Sequence, residues 1–146
     1  MKYVRLYADD NVESHFEECE LVFKSVDFAP PAPPLDVSVF GQAELCSILR
    51  AKPGWIGDWH PAPFRQLHFY LSGEVEAEVS DGEKRRIRAG EFTLVEDTTG
   101  KGHRSHVVGN GDVVIAVVKL SRSNEQSNRR FKGIEKKRSR FGHNRV

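Results

Sequence analysis

The chain has 146 residues, 38% of them hydrophobic, which suits a single core and one domain. Its net charge of +1 hides a split: from Arg122 onward nine Lys and Arg face two Asp and Glu, a balance of +7, leaving 13 basic and 19 acidic residues, a balance of −6, before it. No apolar run approaches the roughly 20 residues of a membrane span, and the N-terminal MKYVRLYADDN is charged from its second residue, unlike a signal peptide.

Cys19 and Cys46 have neither C-x-x-C spacing nor the number of a disulfide framework. They read as reduced thiols of a cytoplasmic protein, buried as small hydrophobes, with a single disulfide left open. Tyr3 to Tyr7 is β-prone and ends at the turn-forming Asp9-Asp10-Asn11. Phe16 to Phe28 reads as one strand with a polar face. The following Ala29-Pro30-Pro31-Ala32-Pro33-Pro34 lacks ladder donors and reads as an extended, polyproline-like arm lying across a sheet or a neighbouring subunit.

Ala43 to Ala51 fits helical and strand spacing equally, but its shortness and its place between Gly41 and Pro53-Gly54 favour a strand. Trp55 and Trp59 then lead into His60. Two Trp this close serve as packing or as an aromatic wall beside a ligand. Arg65 to Leu71 is a strand. Glu74 to Val79 alternates strictly, with Val75, Ala77 and Val79 on one face and three Glu on the other. Ser80-Asp81-Gly82-Glu83 signals a hairpin whose returning strand, Lys84 to Arg88, sets Lys84, Arg86 and Arg88 across from those Glu. Phe92 to Glu96, His103 to Val108 and Val113 to Leu120 are further strands, the last apolar on both faces and so central. Eight or nine short strands without a convincing helix predict a barrel or sandwich.

The chemistry-bearing residues gather in two segments, one with His60, Gln66 and His68 and one with His103 and His106. A strand's period of two sets Gln66, His68 and Tyr70 on one face. If that face is interior, His68 lies beside Gln66. Two or three imidazoles and an amide oxygen bind a divalent ion with open positions. Glu96 shares a face with Leu94 and Phe92. Pointing inward, it is a candidate general base or a partner orienting His103; otherwise it ion-pairs with Arg104 or Lys101. Thr98-Thr99-Gly100-Lys101-Gly102 lacks the frame of a phosphate loop. His15 and His143 are assigned no role.

Gln66-x6-Gly73 after an upstream His, the Gly82 hairpin, Gly90 opening a strand and a later His resemble the layout of the cupin family, over about residues 41 to 120. Its motifs are G-x5-H-x-H-x3,4-E-x6-G and G-x5-P-x-G-x2-H-x3-N. The resemblance implies an all-β fold, a small antiparallel cupin-type barrel (a double-stranded β-helix, or jelly roll). By it His60 matches the first His, Gln66 the acidic ligand and His103 the third His, while His106 has the x3 spacing to Asn110. The sequence departs from the motifs at Ala62, in place of the second His, and at Glu96, in place of the Pro.

The expectation is therefore a barrel domain over residues 1–121, with its N-terminal strands and proline-rich arm, followed by a basic tail, 122–146. Candidate metal ligands are His60, Gln66, His103, His68 and His106, for Zn, Fe, Mn or Ni. Glu96 and Tyr70 are catalytic candidates, and Trp55, Trp59 and Phe64 pocket walls. Two functions stay open: a metal-dependent isomerase, lyase or dioxygenase acting on a small polar organic molecule, and a metal-free binding or sensor module that lost ligands. A homodimer through the N-terminal strands and proline arm is expected. The basic tail is solvated, docks on acidic protein surface, or recruits nucleic acid.

Overall fold

The computed structural model describes residues 1–122, so the tail from 123 on, with its expected roles, lies outside the described residues. Twelve strands form there: β1 (Lys2–Ala8), β2 (Ser14–Glu20), β3 (Lys24–Val26), β4 (Leu35–Val37), β5 (Ala43–Ala51), β6 (Ile56–His60), β7 (Gln66–Ser72), β8 (Glu74–Val79), β9 (Lys84–Arg88), β10 (Phe92–Glu96), β11 (His103–Val108) and β12 (Val113–Leu120). No helix among them is long and apolar enough to cross a membrane.

A six-stranded sheet, ordered β2-β1-β10-β7-β12-β5, faces a four-stranded one, β6-β11-β8-β9. From β5 onward the order comes from one device. The β8–β9 turn is the tip of a single long antiparallel ribbon in which β7 meets β10, β6 meets β11 and β5 meets β12. Paired residue numbers add to between 161 and 164 along its whole length. The ribbon's arms pass alternately between the two sheets, which rolls it into a jelly roll.

The charge ladder at the tip forms as its alternation predicts: Glu74 faces Arg88, Glu76 faces Arg86 and Glu78 faces Lys84. Val75, Ala77 and Val79 on the opposite face enter the core between the sheets with Leu6, Phe16, Tyr70, Val95, Val107 and Val113. A second cluster, Leu67, Phe92, Leu94 and Leu120, lies on the other face of the six-stranded sheet, packed against Tyr3, Leu21 and Phe40. β10 is thus apolar on both sides for two separate reasons.

Three expectations in the N-terminal third are corrected. Phe16 to Phe28 is split between β2 and β3. The proline run forms no extended arm: Ala32 N–H donates to Ala29 O at 2.9 Å, making it the turn of the β3–β4 hairpin around a cis Pro30–Pro31 peptide. Cys46 is exposed and Cys19 half-buried, both free, so neither is the buried hydrophobe expected.

Polar contacts from β2 to the ribbon's tip close the barrel on one side. Ser14 N–H donates to Ser80 Oγ and Ser80 N–H to Ser14 Oγ, both at 2.7 Å, while Ser14 Oγ–H donates to Gly102 O at 2.6 Å. Next to them His15 faces Asp9 through Nε2 and Asp81 through Nδ1, each at 2.7 Å. Only the imidazolium donates from both nitrogens. The hydrogen bond to Asp9, followed by the one to Asp81, raises the His15 pKa above its usual 6.5. Asp9 is lowered in return, chiefly by His15, and Asp81 chiefly by the Glu83 backbone N–H.

A pH dependence follows. A raised folded-state pKa contributes stability that is complete below 6.5 and lost as pH rises through the folded value. The lowered carboxylates lose theirs as pH falls below 3.8. Urea unfolding of wild type and His15→Gln should differ most between those limits, and the gap should shrink on the alkaline side.

Candidate functional site

The ribbon carries β6 and β11 side by side, with His60 directly opposite His103. A shift in register between His103 and Ser105 sets Asp58 and Trp59 together opposite Arg104. The two imidazole rings lie 4.7 Å apart, centroid to centroid. His60 is exposed and His103 half-buried, so the pair stands at the barrel's rim.

Each ring is fixed by its Nδ1. His60 Nδ1 lies 2.6 Å from the Asp58 carbonyl, which can only accept. His103 Nδ1 lies 2.6 Å from Asp97 Oδ2, and the Asp97 side chain is fully buried. With Nδ1 donating in both rings, the Nε2 of each is left with no protein partner among the described residues. This arrangement suits a ligand for a metal ion or a hydrogen-bond acceptor for a small molecule.

Behind the pair the interior face of β7 carries Gln66, His68 and Tyr70, as its period requires. Gln66 is buried at 7% exposure. His68 Nε2 and Asp97 Oδ1 are buried without a hydrogen-bond partner. Burial, with the nearby His103 adding to it, pushes the His68 pKa down to about 4, so the ring is neutral at physiological pH. Tyr70 is buried in the core between the sheets, and burial pushes its hydroxyl up to about 12. It is a phenol that stays protonated away from the rim, which corrects its expected catalytic place.

Other residues are corrected as well. Glu96 points away from the barrel, where Arg5 Nε holds one oxygen at 2.8 Å and Arg65 Nε the other at 2.7 Å. It does share a face with Phe92 and Leu94, but that face belongs to the outer cluster. The residue that orients His103 is its neighbour Asp97, on the parity of Thr93 and Val95. His106 is exposed on β11, two residues from Arg104 and on the same outer face, where Arg104 pairs with Glu78. A ligand role beside His103 is out of its reach.

Of the expected walls, Trp59 lies outside, with Lys101 Nζ 3.9 Å and the Arg104 guanidinium 5.0 Å from its ring. Trp55 folds over Gly57, its indole filling the place a Gly57 side chain would take. Gly57 pairs with Ser105, two residues along β11 from His103. Phe64 is half-buried, with Lys119 Nζ 5.0 Å from its ring centroid. Ala62 is buried at 3% exposure in the core, its N–H donating to Asp97 O at 2.9 Å. Two clefts of about 300 and 500 Å³ open elsewhere, and neither is lined by His60 or His103.

The strand order and the nested pairing define a jelly-roll barrel. No family model matches the chain and no curated sequence matches it. Among solved structures, the Cnp3 cupin domain of Schizosaccharomyces pombe is 15% identical, with a TM-score of 0.45, over 83% of this chain and 79% of that one. A conserved Streptococcus pyogenes protein of unknown function is 17% identical, with a TM-score of 0.44, over 71% and 77%. An oxalate decarboxylase is 23% identical, with a TM-score of 0.39, over 54% of this chain but 22% of its own. The fold assignment rests on the strand order.

The loop between Asp97 and His103 is held by a close approach. Gly102 has φ +73, and a Cβ there would overlap the His60 carbonyl oxygen. Gly102→Ala should therefore lower the unfolding free energy by ~2 kcal/mol or more. Gly82→Ala, at φ +94 with open space around it, should cost about 1 kcal/mol, the left-handed penalty alone. Urea titration of both variants checks the difference.

Proposed function

We propose that the rim site binds a divalent transition metal and that the protein is a metal-dependent enzyme acting on a small polar organic molecule, in the isomerase, lyase or dioxygenase range. The supporting observation is the His60–His103 pair, each ring held through Nδ1 with its Nε2 left without a protein partner among the described residues. A carbonyl or carboxylate behind the distal nitrogen is the usual arrangement of a metal-bound His.

The donor set is His60 and His103, completed by the neutral amide oxygen of Gln66, with His68 next to it on β7. Zn, Fe, Mn and Ni all accept imidazole and oxygen donors. A bound ion would supply Lewis acidity at an open position. In the protein's own chemistry, Asp97 holds the His103 ring through Nδ1.

A second reading, a metal-free small-molecule-binding or sensor module, has its own support. Among the described residues no group of three or more His, Cys, Asp and Glu is arranged to hold a metal ion. The position that a further His would need is taken by Ala62, sealed in the core. Under this reading the two Nε2 atoms accept hydrogen bonds from a ligand.

Elemental analysis of tag-free protein, purified without chelators, separates the two. The metal reading predicts about one equivalent per chain, lost in His60→Ala and in His103→Ala while both stay folded. Wild type that takes up no Zn, Fe, Mn or Ni on titration would overturn it in favour of the binding module.

A further inference from the structure

Among the four edge strands of the two larger sheets, β5 differs in character. β2 carries Glu17, Glu18 and Glu20, and β9 carries Lys84, Arg85, Arg86 and Arg88, so each repels its own copy. β6 is short and lies beside the rim. β5 is nine residues long, pairs only with β12 and leaves its other edge unpaired. Leu45, Ile48 and Leu49 on it are 56%, 62% and 50% exposed.

Its sequence, AELCSILRA, complements itself when read backwards about Ser47. Laid antiparallel on a second β5 with Ser47 opposite Ser47, Ala43 meets Ala51, Glu44 meets Arg50, Leu45 meets Leu49 and Cys46 meets Ile48. Each charged contact occurs twice by symmetry. Arg50 is exposed with no ion-pair partner among the described residues, and Glu44 is exposed too, with Lys119 at 3.1 Å and Ser121 close to it. A long edge rich in apolar side chains, whose two charges are of opposite sign rather than a like-charged run, is a template for another strand.

We propose that β5 is the self-association edge of this protein, joining two copies of the chain by antiparallel β5–β5 pairing about a two-fold axis at Ser47. The two six-stranded sheets then run on as one, and the interface is isologous, with the same patch used by both copies. Backbone hydrogen bonds and the leucine and isoleucine side chains supply the attraction. The Glu44–Arg50 contacts, exposed and individually weak, select this register over neighbouring ones. This edge is distinct from the N-terminal strands and proline run, where a dimer was expected from sequence.

Sedimentation velocity on the full chain tests it with a charge exchange. Wild type should dimerise. Glu44→Arg and Arg50→Glu should each weaken the dimer by about tenfold or more, and the double variant should regain it. Both side chains are exposed, so circular dichroism should show unchanged folding. Arg50→Glu leaves the Glu44–Lys119 pair intact, so a loss seen only in Glu44→Arg would overturn the proposal. A monomeric wild type, a dimer indifferent to both changes (as an interface through the N-terminal strands would be), or a double variant that stays weak would overturn it as well.

Discussion

The antiparallel ribbon that folds back at Ser80-Asp81-Gly82 is the constraint on which the rest depends. Once that turn is set, each arm has one partner, and residues 43 apart in sequence, His60 and His103, come opposite each other. The charge ladder of β8 and β9 fixes the register at the tip, where a slip of one residue would put Val75, Ala77 and Val79 in water. Farther along, the register shifts by no more than two or three residues, and one of those shifts, between His103 and Ser105, sends Trp59 outward while His60 stays with His103.

The rim is built from polar groups whose placement costs energy. Asp97 is fully buried with one oxygen on His103 and the other without a partner, and His68 keeps a buried nitrogen unpaired. Such groups persist where the surrounding structure holds them and where they serve a site. Here Gly102 against the His60 backbone, Ala62 on the Asp97 carbonyl and Ser14 on the Gly102 carbonyl supply the hold. The clasp from β2 thus supports the loop that presents His103, linking the N-terminal strands to the candidate site.

Sequence reasoning reached β5 and the strands from β7 to β12 because each has a short-range signal: strict alternation in β8, a turn tetrad at its end, and glycine or proline at most boundaries. β6, with Gly57 and Asp58 inside it, carried no such signal and was missed. The pairing that those turns impose also brings His60 opposite His103. Sequence reasoning failed where both faces of a strand are covered. In Phe92-Thr93-Leu94-Val95 every residue is buried, so apolarity does not tell inside from outside, and the inward role went to Glu96 rather than Asp97. Counting parity from Val95, which packs with Tyr70 and Val107, would have found Asp97. The proline run misled because a missing N–H argues only against ladder pairing, and a hairpin turn needs no ladder there. His106 and Trp59 depended on β11 facing and on a bulge, which no local pattern encodes.

The central claim is that His60 and His103 share one point at the barrel rim. Nuclear Overhauser contacts between their ring protons, in protein with labelled histidine, test this most directly. Rings with centroids 4.7 Å apart should give cross-peaks between His60 and His103, lost on replacing either residue. Both rings resolved and assigned without such cross-peaks would contradict the account.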